Sequence, residues 1–364
     1  MRLAAAIATS IFLALAWSTT KAQPIAQWNE TSHNFGSFHE SKGDQSCRFV
    51  VTNTGDSALV IVRVQTSCGC TVAKYTTTAI MPGEKGAVDV TYSPTGRPGT
   101  FEKAVWVYTN SSPTRTRLII EGAVVGSPQS VKQSFPVDAG DLQFTSLILP
   151  LGEVRKGQMM SNPITAYNSC NDTLFLSFDN NTSHITCQAI PDTIPPGHIS
   201  TISFFFNSLS TPVWGINDDN ITLISSPLHS GRAPSKTNVN VVANVVEDFS
   251  KLTPEQRANA PECSIEPERL VMNITKSNAK SAEGNITIKN TGKSNLIVRR
   301  AMSSDKALTV KCDKTLLKPG DKATVTVKVN PVKVDGNLLN SQITLITSDP
   351  ASPHITVRVV GEIK

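Results

Sequence analysis

Apolar residues alternate with polar or small ones over short runs along this chain, and two sets of runs share one register. Val88, Val90 and Tyr92 alternate in one run, and Val325, Val327 and Val329 alternate 237 positions later. Phe49 and Val51 are matched in the same way by Ile286 and Ile288. Period two is the spacing of a strand with one buried face, so these runs predict strands with Phe49, Val90, Ile288 and Val327 in their cores. The turn residues keep the same offset. Asn53-Thr54-Gly55, Pro82-Gly83, Pro94, Gly99 and Pro113 recur as Asn290-Thr291-Gly292, Pro319-Gly320, Pro331, Gly336 and Pro350. Gly and Pro mark where the backbone must bend, so this register predicts one fold used twice.

Within the first copy, Cys47, Phe49 and Val51 predict one buried face. Leu59 to Val64 is nearly continuously apolar, as a central strand would be. Val105 to Tyr108 and Leu118 to Ile120 supply further strands. Short strands with turn signals at regular intervals predict an antiparallel β-sandwich. A diverged copy lies between the two, with Asn168 in place of Asn53 and Pro196-Gly197 in place of Pro82-Gly83. The expected layout is sandwiches over residues 23–126, 127–250 and 262–364. Thr253 as cap, Pro254 at the first helical position and Glu255 in the first turn predict a short helix in the 251–261 linker, the one regular helix expected.

A length of 364 residues suits two or three domains. Residues 1–22 have the form of a cleaved secretory signal, with Arg2, an apolar Leu3–Trp17 and a Thr20-Lys21-Ala22 cut. The expected address is secreted: periplasm, outer-membrane surface or extracellular. No other stretch is apolar enough to span a membrane. Charge is uneven. The middle domain carries 5 Lys and Arg against 10 Asp and Glu, and the last carries 16 against 10. A basic last domain suits an acidic partner surface, including the middle domain of another copy. Lysines on alternate positions, such as Lys322 and Lys328, read more simply as a solvated face. The basic residues are not interleaved with aromatics along the chain, so no nucleic-acid partner is expected.

The densest chemistry is Ser67-Cys68-Gly69-Cys70-Thr71. With Asn53-Thr54-Gly55 before it and Pro82-Gly83-Glu84 after it, this stretch resembles a family of secreted Bacteroidota proteins of unknown function. That family is similar to the immunoglobulin-like domains of Hydin and major sperm protein. The resemblance spans residues 28–124 and reaches the third domain by framework only, because Asp305-Lys306-Ala307 stands at the cysteine region there. It implies an all-β chain of three tandem immunoglobulin-like β-sandwich domains, and no activity.

Three readings of Cys68 and Cys70 stand. A bond to Cys47 would staple neighbouring strands. A bond between the two across Gly69 would suit thiol exchange, although a fully extended segment would hold their Cα atoms ~6.6 Å apart. Two thiolates would suit a soft metal, but no His or Met adjoins them. Structure is the favoured reading, and no metal or cofactor is expected. The remaining cysteines pair most simply as Cys170 with Cys187 and Cys263 with Cys312. None of the six histidines has metal-ligand spacing with another, and no nucleophile elbow or phosphate loop occurs. Asn217-Asp218-Asp219-Asn220 lacks the glycine and distal glutamate of a calcium loop. Ser57, Thr173 and Thr193 each follow an Asp and precede an apolar residue, the pattern of O-glycan acceptors in secreted Bacteroidota proteins. The expectation is a secreted, non-enzymatic envelope or surface scaffold that binds a protein partner. The alternatives are a thiol or soft-metal protein working through Cys68 and Cys70, and a chaperone-like module that lends a strand edge.

Overall fold

The structure is a computed structural model that describes residues 22–274 and 282–363. The expected signal segment lies outside the described residues, apart from Ala22. Strands follow the period-two pattern. Gln45–Asn53 pairs antiparallel with Lys85–Tyr92, placing Phe49 opposite Val88 and Cys47 opposite Val90. Phe49, Val90, Ile288 and Val327 are all fully buried.

The first sandwich has two four-stranded sheets. One runs in the order Ala26–Trp28, Gln45–Asn53, Lys85–Tyr92, Thr71–Tyr75, and the other in the order Ser32–His39, Arg115–Val125, Gly99–Thr109, Ile61–Thr66. Their inner faces enclose Phe49, Val51, Val105, Leu118 and Ile120, and Tyr92 stacks on Phe101 at 3.9 Å. The third sandwich repeats this order strand for strand, with a short Leu316–Leu317 strand added. Strands that begin at Ala26, Ser32, Gln45, Thr71 and Lys85 have counterparts that begin at Cys263, Arg269, Ala282, Leu308 and Lys322, each 237 positions on. The middle sandwich packs two five-stranded sheets around Phe144, Phe204, Phe206 and Val241.

The sheets are not purely antiparallel. In each sandwich one strand near the start lies parallel to the last: Ser32–His39 on Arg115–Val125, Ile148–Arg155 on Ser235–Val246, and Arg269–Ile274 on His354–Ile363. In the first sandwich the cause is a change of sheet. The chain leaves the Ala26–Trp28 edge, crosses at Asn29, whose amide oxygen accepts the Val50 N–H at 2.7 Å, and enters the opposite sheet beside its final strand.

The linker helix forms over Pro254–Ala258. Thr253 accepts from the Gln256 N–H, and the Gln256 side chain accepts from the Thr253 N–H, which completes a capping box. A second helix, Pro128–Ser134, was not expected. It is held to the first sandwich by Glu40, whose carboxylate accepts from the N–H groups of Gly96 and Ser127 and from the Ser130 hydroxyl. The first compact unit therefore runs to Ser134 instead of stopping at residue 126. No composition shift marks that boundary.

Glu40 gives this attachment a pH dependence. Partial desolvation pushes its pKa up, but the Ser127, Ser130 and Gly96 donors outweigh it and bring the pKa down to about 2. A depressed carboxyl contributes stability above its unfolded pKa and loses it as pH falls through the folded one. The stabilisation should be intact at neutral pH and should fade between about pH 4.5 and about pH 2. Amide protection over residues 127–134, relative to the intrinsic exchange rate at each pH, should fall in that window, and Glu40→Gln should flatten the dependence.

The second compact unit, 135–364, holds both later sandwiches. Their junction is built on Trp214-Gly215-Ile216. Arg300 donates to the carbonyls of Trp214 and Ile216 at 2.9 and 3.0 Å. Arg299 lies over the Trp214 ring at 4.7 Å and pairs with Glu247 at 2.8 Å. Gly215 has φ of 77°, and a Cβ there would come within 2.3 Å of Ile346 Cδ1. Guanidinium groups that satisfy backbone carbonyls at a partly buried junction fix orientation more firmly than exposed pairs do.

Candidate functional site

The Ile61–Thr66 strand ends where Ser67 swaps hydrogen bonds with Ala104: the Ser67 N–H donates to the Ala104 carbonyl, and the Ala104 N–H donates to Ser67 Oγ. The chain then turns through Gly69 and starts the Thr71–Tyr75 strand in the other sheet. Cys68 and Cys70 lie on either side of that turn and are bonded to each other, with Cα atoms 5.3 Å apart. The bend at Gly69 shortens the extended span to disulfide reach. Cys70 is buried against the core, and its carbonyl accepts the Ser93 N–H at 2.9 Å. Cys68 is half-buried and Gly69 exposed. The Thr71 hydroxyl lies 3.5 Å from the sulfur of Cys68 and 3.8 Å from that of Cys70. The signature residues are thus gathered into one sheet-to-sheet crossing, with Cys70 buried and Cys68 half-buried against the core.

This pairing replaces the expected staple to Cys47. Cys47 lies on Gln45–Asn53, separated from the Thr71–Tyr75 strand by Lys85–Tyr92, and it is a free thiol. The other two expected bonds are also absent. Cys170 sits in a turn after the Met159–Asn168 strand while Cys187 lies in mid-strand opposite Phe204. Cys263 and Cys312 occupy the two edge strands of one sheet, with two strands between them. Burial makes three of these thiols unreactive. Desolvation pushes Cys47 and Cys263 up to about 12 and Cys187 up to about 11, so little thiolate forms. A closed Cys68–Cys70 bond also leaves no thiolate for a soft metal there.

The short loop lowers the energy that the bond contributes. Closing a three-residue loop restricts the unfolded chain by only about 1–2 kcal/mol, less than the loop of about 22 or 24 residues that a bond from Cys47 to Cys68 or Cys70 would close. Cys68→Ser with Cys70→Ser should cost that much and leave the sandwich folded. Thiol titration of the denatured chain should count five without reductant and seven with it. Two further thiols before reduction would overturn the assigned bond.

The turn motif has a defined task. Asn53 is fully buried; its amide donates to the carbonyls of Ser57 and Ile80 at 2.7 and 2.9 Å, and its oxygen accepts the Gly55 N–H at 3.0 Å. Asn290 does the same to Ser294, Leu317 and Gly292. Asn168 does so to Asp172, Ile194 and Cys170. The main-chain carbonyl of each Asn takes the N–H of a positive-φ glycine, Gly83, Gly320 or Gly197. These residues hold the fold together.

This register also relocates one glycan candidate. Ser57 and Asp172 both give their carbonyls to the anchoring Asn, so Asp172, and not Thr173, is the counterpart of Ser57. Asp172 is buried and accepts from the His229 imidazole and from the N–H groups of His229 and Ser230. The Ser230 hydroxyl foremost, with those donors, holds it well below the usual carboxylate range. Thr193 lies on a two-residue strand beside Phe175, and both Thr193 and Ser57 are half-buried. An open cavity of about 650 Å³ is lined by Cys170, Asp172, Thr173, His229 and Arg232. Among the described residues no group of three or more His, Cys, Asp or Glu side chains has metal-binding geometry, and no helix is long and apolar enough to cross a membrane.

One surface escaped the sequence reading. Arg63, Tyr108 and Arg115 face one another across three adjacent strands, and Gln65, Trp106 and Arg117 form the next row. Basic and aromatic residues that are not interleaved along the chain are interleaved across the sheet. Arg63 lies over the Tyr108 ring at 3.9 Å and Arg115 over Trp106 at 4.4 Å. The signal lay in strand pairing, which needs the register as well as the sequence.

Residues 26–124 match a family described as a protein of unknown function (DUF1573). Residues 264–362 match the HYDIN/CFA65/VesB-like, Ig-like domain. No curated protein matches the chain. Among solved structures, a protein of unknown function from Porphyromonas gingivalis W83 is similar at 18% identity, covering 61% of this chain and 100% of that one with a TM-score of 0.46. The ASH / PapD-like domain of human CEP192 matches at 8% identity over 30% of this chain and 88% of its own, TM-score 0.27. The YadV chaperone matches at 15% identity over 60% of this chain and 100% of its own, TM-score 0.25. The chain is an all-β protein of immunoglobulin-like sandwiches, whose first sandwich matches a family of unknown function and whose last matches the HYDIN/CFA65/VesB-like Ig domain.

Proposed function

We propose that this chain is a secreted, non-enzymatic protein of the cell envelope or surface that serves as a scaffold for a protein partner. The observation that carries this reading is the junction at Trp214-Gly215-Ile216. Arg299 and Arg300 tie two sandwiches of opposite net charge into one compact unit. A fixed pair of domains presents a wide surface without ordering cost on binding, which favours recognition of a macromolecule. The polar residues that recur between sandwiches, Asn53, Asn168 and Asn290, are spent on turn carbonyls and are not available for chemistry. On this reading residues 1–22 are removed, and Ser57, Thr173 and Thr193 are the sites to examine for O-glycans.

The test is a crosslinking pull-down from the native envelope with the mature chain and with an Arg299→Ala/Arg300→Ala variant. A stoichiometric partner, held less well by the variant, is the expected result. The absence of any partner, or a turnover found on the purified chain, would refute the scaffold role. A second reading, thiol exchange, is favoured by one feature: the half-buried Cys68 sulfur of a bond closed between near neighbours. It requires that the Cys68→Ser/Cys70→Ser variant lose a dithiol–disulfide exchange signal while stability barely changes.

A further inference from the structure

The outer face of the Ile61–Thr66, Gly99–Thr109 and Arg115–Val125 strands carries three arginines and two large aromatics in two adjacent rows. Its electrostatics are lopsided. Arg117 is neutralised by Glu102 at 2.7 Å. Arg63 and Arg115 have no carboxylate partner among the described residues, and both are exposed. Their guanidinium carbons lie over the Tyr108 and Trp106 rings instead. Strands in a sheet are ~4.8 Å apart, so the Cα atoms of Arg63 and Arg115, with Tyr108 between them, are ~10 Å apart.

An arginine resting on a ring keeps its charge while losing rotamer freedom, and its N–H groups can still donate to a carboxylate. Two such groups at fixed spacing are prepared to take two carboxylates in bidentate fashion. The rings cannot serve as open stacking platforms on the sides that the guanidiniums cover, which disfavours a sugar ring or a nucleobase as occupant. Trp, Tyr and Arg are also the residues that dominate protein interface energetics. We infer that this sheet face is a docking surface for a protein partner that presents paired carboxylates, with Arg63 and Arg115 as its anchors. The inference rests on the scaffold reading above and names the surface and chemistry of its partner.

The experiment titrates the mature full chain with a labelled oligoglutamate peptide at low and physiological salt. Dextran sulfate and oligo-dT serve as competing polyanions. Arg63→Ala/Arg115→Ala should weaken oligoglutamate binding roughly tenfold or more, the effect of losing about one good charge pair. Its melting should fall only slightly, because both side chains are exposed and each gives up only a surface cation–π contact. Arg63→Lys/Arg115→Lys keeps the charge but not the planar fork, and should fall between the two. Lys318→Ala/Lys322→Ala removes the same charge from the third sandwich and should bind like the wild type. Equal binding by all variants would overturn the assignment, and so would tighter binding of dextran sulfate or oligo-dT than of oligoglutamate. The envelope pull-down separates the two proposals. A partner held equally by wild type and the Arg63/Arg115 variant would reject this surface and leave the scaffold role standing, whereas no partner for either would reject both.

Discussion

Asn53→Asp is expected to destabilise the first sandwich by about 3–5 kcal/mol at neutral pH, more than Asn53→Ala does. The two changes test one geometry. In the native turn the Asn53 amide donates to two carbonyls, those of Ser57 and Ile80. Alanine leaves both oxygens without their donor, but the Ser57 bond is only part-buried, so the cost falls mainly on the buried Ile80 carbonyl, at about 1–3 kcal/mol. Aspartate keeps the shape but turns a carboxylate oxygen toward two carbonyl oxygens at a fully buried position. An uncompensated buried charge is the costlier defect, at about 3–5 kcal/mol. The sign with pH follows. The buried carboxyl has its pKa raised above the unfolded value, so the penalty grows as pH rises through that value, about 3.9. Below it the carboxyl is protonated and its O–H can donate to one carbonyl, so the Asp variant should approach the Ala variant there. Urea midpoints at pH 3.5 and pH 7 measure this, and Asn290→Asp should repeat it in the third sandwich. Equal losses for Asp and Ala at both pH values would show that the amide does not carry the turn.

Much of the fold was legible because its constraints are local or periodic. Val88, Val90 and Val327 alternate with outward residues, and the structure buries each of them. The Pro-Gly turns were legible because Gly83 and Gly320 adopt φ of 81° and 88°, which side chains resist. The Pro128–Ser134 helix was not, since its attachment depends on Glu40, 87 residues before Ser127. The cysteine pairs were read from compartment and count, whereas the topology puts Cys263 and Cys312 on opposite edges of a sheet. The row of Arg63, Tyr108 and Arg115, residues 45 and 7 positions apart in sequence, needed the register of three strands. Candidate chemistry that depends on cross-strand neighbours is invisible to a reading along the chain.

The Asn-Thr-Gly motif was legible as a turn, but the reason for its glycine was not, and this yields the last expected result. Gly55→Ala and Gly292→Ala should each cost about 2–3 kcal/mol, the upper part of the usual overpacking range. Neither glycine has the positive φ that would explain it. The cause is close approach. A Cβ on Gly55 would stand 2.2 Å from the Gln23 carbonyl oxygen and 2.6 Å from the Ile25 nitrogen. On Gly292 it would stand 2.4 Å from the Glu262 nitrogen and 2.5 Å from the Ala260 oxygen. These are backbone atoms of the segment that leads into the first strand, so they cannot swing aside as a side-chain tip would. Relief requires moving that segment, which breaks the bonds from Thr54 to Ile25 and from Thr291 to Glu262. The middle sandwich provides the control. Cys170 stands at the same point of its turn, with its N–H on the Asn168 oxygen. There the entry is a hairpin of Val137–Ala139 and Leu142–Phe144 that meets the turn through Ser169 and Asp141, leaving room for a side chain. Cys170→Ala should therefore change stability by less than about 1 kcal/mol. Amide exchange should show Ala26–Trp28 and Cys263–Glu266 opening first in the two glycine variants. Unchanged midpoints for Gly55→Ala and Gly292→Ala would mean that the leading segment yields, and that the glycine answers to something other than its neighbours.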